Sequence, residues 1–134
     1  MLKDYAEKYY GQNYNCAETI IRAANEYYNL GLHDHDMIMV ASFGGGIQTG
    51  NTCGAVLSTA AVLSMKYVEA KSHESKDIKP VVTILMKKFN AGYQSTLCKD
   101  IKPQSYSPEK GCLLTIETAC DILEETIAEY EADK

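Results

Sequence analysis

The five cysteines are the residues of this sequence best suited to chemistry. Cys53 follows the glycine-rich stretch FGGGIQTGNT and precedes an apolar run with helical spacing. Asn51 and Thr52 are both good N-cap residues, so Cys53 is expected in the first turn of a helix. Because the positive end of a helix favours thiolate over thiol, the sequence predicts that Cys53 is the most acidic and reactive of the thiols.

Three more cysteines are predicted to share the interior with Cys53. Cys16 falls in the first turn of the second predicted helix, on its apolar face, while Cys98 lies on a short segment. Cys112 and Cys120 lie on the apolar side of the last helix, ~12 Å apart along its axis and beyond the ~7 Å limit for disulfide-linked Cα atoms. We expect the first four to lie closer to one another than to Cys120, with at least one pair near enough for a disulfide.

The pattern of apolar residues predicts an all-α protein, because no segment alternates with period two over a convincing length. Five or six helices are expected to form a compact bundle around an apolar helix at its centre. The 134 residues suit a single helical domain over 1–134. The predicted elements are Leu2–Tyr10, Asn15–Tyr28, Met37–Ser42, the central Cys53–Glu69, Asp77–Asn90, a short segment Ser95–Ile101, and Glu109–Ala132.

The net charge, the first residues and the lengths of the apolar stretches exclude some classes of partner and location. A net charge of -5 and a pI near 5.1 argue against nucleic acid as a partner, which would need a basic stripe. The first residues lack a signal-peptide pattern and no stretch approaches the ~20 apolar residues of a membrane span, so we expect a cytoplasmic protein without a membrane partner. Cysteines in such a protein are expected to be reduced, metal-bound or catalytic.

The histidines offer a weaker candidate for chemistry. His33 and His35 alternate with two aspartates, and imidazole and carboxylate are both metal ligands. We favour solvated histidines in a loop, with Asp34 or Asp36 capping the short helix that follows. His73 lies in a polar surface connection and is interpreted in the same way.

The order of the cysteines resembles the C-GCAxxG-C-C family of putative redox-active proteins, and the resemblance covers nearly the full chain. The matching parts are Asn15-Cys16-Ala17-Glu18, the stretch from Phe43 through Cys53-Gly54-Ala55, then Cys98, and Cys112 with Ile116. The resemblance implies a small helical protein with four shared cysteines and a redox role or a bound prosthetic group. Two departures stand out: Ser58 replaces the closing glycine of the motif, and Cys120 lies outside the set of four.

Two functional hypotheses remain. In the first, the four cysteines form a redox or metal centre, either by thiol–disulfide exchange or by holding a zinc ion or an iron–sulfur cluster. The absence of a CxxC pair favours thiol–disulfide chemistry, with a redox protein or small molecule as partner. In the second, the cysteines are structural and the glycine loop binds a small anion or cofactor without catalysis. The cofactor-binding candidates are Gly44, Gly45, Gly46, Gly50 and Gly54; the oligomeric state is left open, with a homodimer as one option.

Overall fold

The computed structural model describes residues 1–134 and contains helices but no strands. Short 3-10 segments cover Ile38–Phe43 and Ser72–Glu74, and Gly46–Gly50 forms one irregular π-type turn. The all-α prediction is therefore confirmed. The helices are α1 (Leu2–Tyr10), α2 (Cys16–Tyr28), α3 (Asp34–Met37), α4 (Gly54–Tyr67), α5 (Ile78–Tyr93), α6 (Cys98–Ser105) and α7 (Leu113–Ala132).

The predicted count of five or six helices is wrong, because seven α-helices are present. Two short segments differ from the prediction, and the second of them supplies the seventh helix. The region expected as one helix over Met37–Ser42 divides into α3 and a 3-10 segment, with the Asp36 carboxylate accepting the His33 backbone N–H at the start of α3. The segment that carries Cys98 becomes a full helix, α6, which continues through Pro103.

The helices enclose one connected cluster of 24 buried hydrophobic residues. Helix α4 packs against α2, α5 and α7, but α2 and α7 also each pack against several other helices. The proposed central position of α4 therefore stays a prediction. No helix combines the length and the apolar character that a membrane span requires.

Helix α2 begins with a capping box that also fixes the first cysteine of the site. The Asn15 side chain accepts the backbone N–H of Glu18 at 3.0 Å, and the Glu18 carboxylate accepts the Asn15 N–H at 3.1 Å. These two bonds satisfy backbone donors that a helix start leaves unpaired. Cys16 is the first residue of the helix that they stabilise.

The starts of α4 and α7 lie later than the sequence pattern predicts. Helix α4 begins at Gly54, with Cys53 at its N-cap, because Thr52 is instead paired with Leu97 in an isolated antiparallel bridge. Helix α7 begins at Leu113 rather than Glu109. Ser107 is a residue type that commonly caps helices, but here it forms a tight turn with Gly111 through reciprocal backbone hydrogen bonds of 3.1 and 2.7 Å.

The later start of α7 changes the position of Cys112. The turn before it is closed by the Ser107 side chain, which accepts the Lys110 N–H at 3.0 Å, and by Gly111, whose φ is +59°. A left-handed residue of this kind ends the turn and redirects the chain. Cys112 is therefore the N-cap of α7 and not a residue on its buried face.

Candidate functional site

Four of the five cysteines line a single cavity of about 200 Å³. They come from four separate parts of the chain, so only the tertiary fold brings them together. Cys53 is buried, and the other three are half-buried, which leaves the cavity within reach of solvent. The remaining lining residues are Tyr10, Tyr14, Asn15, Gly45, Ile101, Lys102 and Thr115.

Each of these four cysteines lies at the N-terminus of a helix. Cys16 and Cys98 are the first residues of α2 and α6, and Cys53 and Cys112 are the N-cap residues of α4 and α7. Helix N-termini carry partial positive charge and unpaired N–H groups. Four such ends directed at one cavity favour negative charge there, whether on a thiolate or on a ligand.

The isolated bridge between Thr52 and Leu97 explains why two of the cysteines are neighbours. The N–H of Cys53 donates to the Thr96 carbonyl at 2.8 Å, and the N–H of Cys98 donates to the Asn51 carbonyl at 2.7 Å. Residues that flank a bridge on either side share the opposite face of the ladder, so both cysteine side chains point the same way. Diagonal neighbours of this kind have Cα atoms ~7–8 Å apart and Cβ atoms somewhat closer.

The Cys16 thiol reaches the start of α4 because residue 54 is glycine. A Cβ atom on Gly54 would lie 2.8 Å from the Cys16 sulfur and 2.8 Å from the Phe43 carbonyl oxygen. Ser58, which we interpreted as the replacement of the closing glycine of the motif, donates its hydroxyl to the Ala17 carbonyl at 2.8 Å. This side chain therefore supplies a buried hydrogen bond between α4 and α2, beside Cys16.

The glycine-rich loop contributes mainly close packing. Gly44 lies against the Asn15 side chain, and a Cβ on Gly46 would lie 2.5 Å from the Asn51 backbone and 2.7 Å from the Cys98 Cβ. Of the five glycines that we considered for cofactor binding, only Gly45 lines the cavity. Gly50 lies beside Lys99, and a ligand role for these glycines stays a prediction.

The loop reverses direction through a run of left-handed residues. Positive φ angles occur at four consecutive positions, at +63°, +66°, +55° and +64° over residues 45–48. The last two are Ile47 and Gln48, which are not glycine. Left-handed geometry is unfavourable for such residues, above all for a β-branched one, so the loop holds strained backbone next to the cysteines.

Burial controls the acidity of the thiols. It raises the pKa of Cys16 to about 12, reinforced by the charges that Cys53 and Cys112 would carry and opposed by hydrogen bonding from the Gly45 backbone. The pKa of Cys53 is also raised, first by burial, although the backbone N–H groups of Ala55 and Val56 oppose the rise. The prediction that its helix position makes Cys53 an acidic thiol is wrong, because desolvation outweighs the helix N–H groups.

Cys112 lies between a tyrosine and a lysine that line the same cavity. The backbone N–H of Cys112 donates to the Tyr10 hydroxyl oxygen at 2.9 Å. Burial raises the pKa of the Cys112 thiol, and the positive charge of Lys102 opposes that rise. The neighbouring Gly111 leaves room for the Tyr10 hydroxyl, which any Cβ at that position would overlap.

Cys120 does not line the cavity. It is fully buried in the core on α7, and burial followed by the charges of Asp121, Glu124 and Glu117 raises its pKa to about 12. This agrees with the sequence prediction that Cys120 is separate from the other four.

All five cysteines are free thiols, and no group of three or more histidine, cysteine or acidic side chains has an arrangement that could hold a metal ion. The histidines contribute nothing to the cavity. A disulfide-forming pair among the cysteines therefore stays a prediction, and so does the metal alternative.

The fold and the cavity define a small all-helical protein with four thiols gathered at one site. Residues 14–126 match the family described as "Putative redox-active protein (C_GCAxxG_C_C)", and the chain belongs to this family. The resemblance found in the sequence is thus confirmed. No curated protein and no solved structure matches the chain.

Sequence reasoning missed the other side chains of the cavity. Lys102 is four residues after Cys98 and Thr115 is three after Cys112, so helical spacing could have indicated both. Tyr10 carries no such signal. It reaches the cavity because α1 packs against α2 and α7, and it lies before the part of the chain that matches the family.

Proposed function

We propose that the protein is a thiol redox protein in which Cys16, Cys53, Cys98 and Cys112 form one centre that cycles between dithiol and disulfide. The observation that carries this proposal is the shared cavity, which is lined by these four cysteines and not by Cys120. Free cysteines are commonly buried one by one as small apolar residues. Four of them from different helices at one solvent-reaching cavity are better explained by joint chemistry.

Cys53 and Cys98 are the pair best placed to form the disulfide. The bridge between their segments holds both backbones in register and directs both side chains to one face. Diagonal neighbours in a ladder typically have Cα atoms ~7–8 Å apart. A modest movement of the two cysteines toward each other would bring that separation into the ~4.4–6.8 Å range that a disulfide requires. Cys16 is the competing partner of Cys53, because its sulfur packs against Gly54, the residue that follows Cys53 and begins α4.

The reaction is an exchange between this dithiol and a disulfide substrate. A thiolate of the pair attacks one substrate sulfur, the substrate S–S bond breaks, and one thiol leaves. The second cysteine then attacks the mixed disulfide, forms the internal S–S bond and releases the other thiol. Two electrons pass to the substrate, and the two cysteine protons end on the two released thiols.

Controlled oxidation tests the proposal. The fully reduced protein is treated with one equivalent of diamide, which takes up two electrons and two protons, and the remaining thiols are counted and mapped by mass spectrometry. We expect two of the five thiols to be lost, with a Cys53–Cys98 link, and the same result in Cys120→Ala. Five free thiols after treatment, or a link that involves Cys120, would overturn the proposal.

A thiolate-bound metal is the second candidate, because four cysteine ligands are the donor set of structural zinc and of many iron–sulfur clusters. The donor type fits, but the present arrangement of the side chains does not suit a metal ion. Metal analysis and a visible spectrum of anaerobically purified protein decide between the candidates. Stoichiometric metal that is lost in Cys16→Ser and Cys98→Ser, but kept in Cys120→Ala, would favour the metal centre.

A further inference from the structure

The charged and polar side chains around the cysteine cavity point to the type of substrate. Lys102 supplies the only ionic side chain in the lining besides the thiols, and no carboxylate lines the cavity. The whole protein carries a net charge of -5, so a cavity with one lysine and no acidic residue differs from its surroundings. A cationic lining in an otherwise acidic protein selects ligands by charge.

Tyr10 adds a hydrogen-bond donor to the same cavity. Its hydroxyl oxygen already accepts the Cys112 N–H at 2.9 Å, while its own proton has no acceptor within the protein. A phenol can donate one hydrogen bond and accept others, so this proton is available to a ligand.

Two other polar side chains of the cavity, Asn15 and Thr115, are already engaged. The Asn15 amide donates to the Ala41 carbonyl at 2.8 Å, and its oxygen accepts the Glu18 N–H. The Thr115 hydroxyl is hydrogen bonded to Ser105. Of the remaining groups, Tyr10 bonds to the Cys112 backbone, and the Lys102 ammonium, which lies 4.9 Å from the centroid of the Tyr106 ring, is near enough to Cys112 to oppose the rise in its pKa.

We propose that the cavity binds a small negatively charged substrate, with the Lys102 ammonium and the Tyr10 hydroxyl as its anion-binding groups beside Cys98 and Cys112. The cavity of about 200 Å³ is smaller than the ~300–1,000 Å³ typical of sites for drug-sized ligands, so the substrate is a small molecule or the protruding end of a larger one. The four helix N-termini at the cavity also favour a negatively charged ligand. This inference rests on the proposed function only in taking the cysteines as the reacting groups.

A pair of alkylating agents of nearly equal size but different charge tests this substrate class. Iodoacetate is an anion and iodoacetamide is neutral, and each transfers its carbon to a thiolate with loss of iodide. Their rates at each cysteine of the reduced protein are measured by mass spectrometry and expressed as a ratio. Both reagents react with the same thiolate, so the fraction of thiolate cancels in that ratio. The ratio therefore reports whether the cavity favours an anionic reagent over a neutral one.

We expect the iodoacetate to iodoacetamide ratio at Cys98 and Cys112 to exceed that of a free reference thiol, despite the acidic protein around them. Lys102→Gln should lower the ratio about three- to tenfold, the effect of removing one nearby charge, and Lys102→Arg should restore most of it. Tyr10→Phe should lower it about two- to fivefold, as expected for the loss of one hydrogen bond. High salt should weaken the charge preference.

Matched variants separate the cavity from general charge effects. Lys99→Gln removes the same charge from the same helix, and Tyr9→Phe removes a hydroxyl from α1, which in the wild type donates to Glu26 outside the cavity. Both should leave the ratio unchanged. A ratio no higher than that of the reference thiol, or an equal loss in Lys99→Gln and Lys102→Gln, would overturn the inference.

The measurement is independent of the redox cycle, because every thiol is reduced throughout. A raised ratio in a protein that forms no disulfide with diamide would leave the anion site standing and reject the proposed function. Disulfide formation combined with a ratio equal to that of the reference thiol would support the proposed function and reject the anion site.

Discussion

Gly54 lies directly against the thiol of Cys16, and this contact sets the distance between the starts of α2 and α4. A Cβ atom at residue 54 would lie 2.8 Å from the Cys16 sulfur, closer than nonbonded atoms can approach. The Phe43 carbonyl oxygen, also at 2.8 Å, blocks the other side. The glycine at position 54 is therefore explained by packing around a cysteine of the cavity.

Replacing Gly54 by alanine should destabilise the protein and disturb the site together. Forcing one methyl group into a filled space costs ~1–3 kcal/mol, and relief requires Cys16 to move. Urea unfolding measures the first effect, and the alkylation rate of Cys16 relative to Cys98 measures the second.

Gly92→Ala is the matched control for that substitution. Gly92 lies inside α5, and a Cβ there meets nothing within 4 Å. Alanine in a helix is favoured over glycine by ~0.5–1 kcal/mol, so this variant should be slightly more stable and should keep the wild-type cysteine reactivity. Equal effects of the two substitutions would contradict the role given to Gly54.

Ser58→Ala should cost ~1 kcal/mol, because it removes the buried hydrogen bond from Ser58 to the Ala17 carbonyl. Ser64→Ala in the same helix removes only an exposed bond to the Ala60 carbonyl and should be neutral or slightly stabilising. Urea unfolding of the two variants gives the comparison. If Ser58→Ala is as neutral as Ser64→Ala, the link between α4 and α2 contributes no stability.

Helical periodicity was sufficient to predict the all-α fold and the separation of Cys120 from the other cysteines. The spacing of apolar residues over α7 places Cys120 in the core, where it is fully buried. Local signals failed where tertiary contacts override them. Ser107, Pro108 and Glu109 have the pattern of a helix start, yet the chain makes a turn there, because Gly111 adopts a left-handed conformation next to Tyr10.

The site could be predicted only as a set of cysteines, because their arrangement depends on long-range pairing. The bridge of Thr52 with Leu97 joins segments more than forty residues apart and has too few residues for a period-two pattern. The acidity of Cys53 was predicted from its helix position alone. Burial depends on the helices that cover the thiol, and it reverses the direction of the pKa shift.

Cys120 should make the wild-type protein lose stability at alkaline pH. Its pKa in the folded protein is about 12, raised first by burial. Between the ordinary pKa of ~8.5 and the folded value, the unfolded chain releases this proton while the folded protein keeps it. The folded state then binds more protons, so the free energy of unfolding falls as pH rises, by up to ~1.4 kcal/mol per pH unit for one thiol.

Urea unfolding of the wild type and Cys120→Ala under reducing conditions tests this dependence. The variant loses some packing at pH 7.5, but its disadvantage should shrink steadily as the pH is raised from 8.5 to 10.5. Tyrosines with raised pKa values, such as Tyr130, are present in both proteins and cancel in the difference. A difference that stays constant over this range would show that the Cys120 thiol ionises at its ordinary pKa.

The two central glycines of the loop allow steric contact to be separated from backbone strain. Gly45 and Gly46 have nearly equal φ angles of +63° and +66°, so alanine at either position incurs a similar left-handed penalty of ~1–2 kcal/mol. At Gly45 a Cβ meets nothing within 4 Å, whereas at Gly46 it would lie 2.5 Å from the Asn51 backbone and 2.7 Å from the Cys98 Cβ. Only the second substitution pushes the paired segments apart.

Gly46→Ala should therefore destabilise the protein by more than Gly45→Ala and should slow formation of the Cys53–Cys98 disulfide, because Asn51 accepts the hydrogen bond from the Cys98 N–H. Diamide oxidation followed by peptide mapping, with urea unfolding on the same samples, measures both effects. The left-handed strain is common to both alanine variants and cancels in the difference between them. The difference that remains reports the contact of residue 46 with Asn51 and Cys98. Equal stability and equal disulfide formation in the two variants would show that the loop does not hold Cys98 in place.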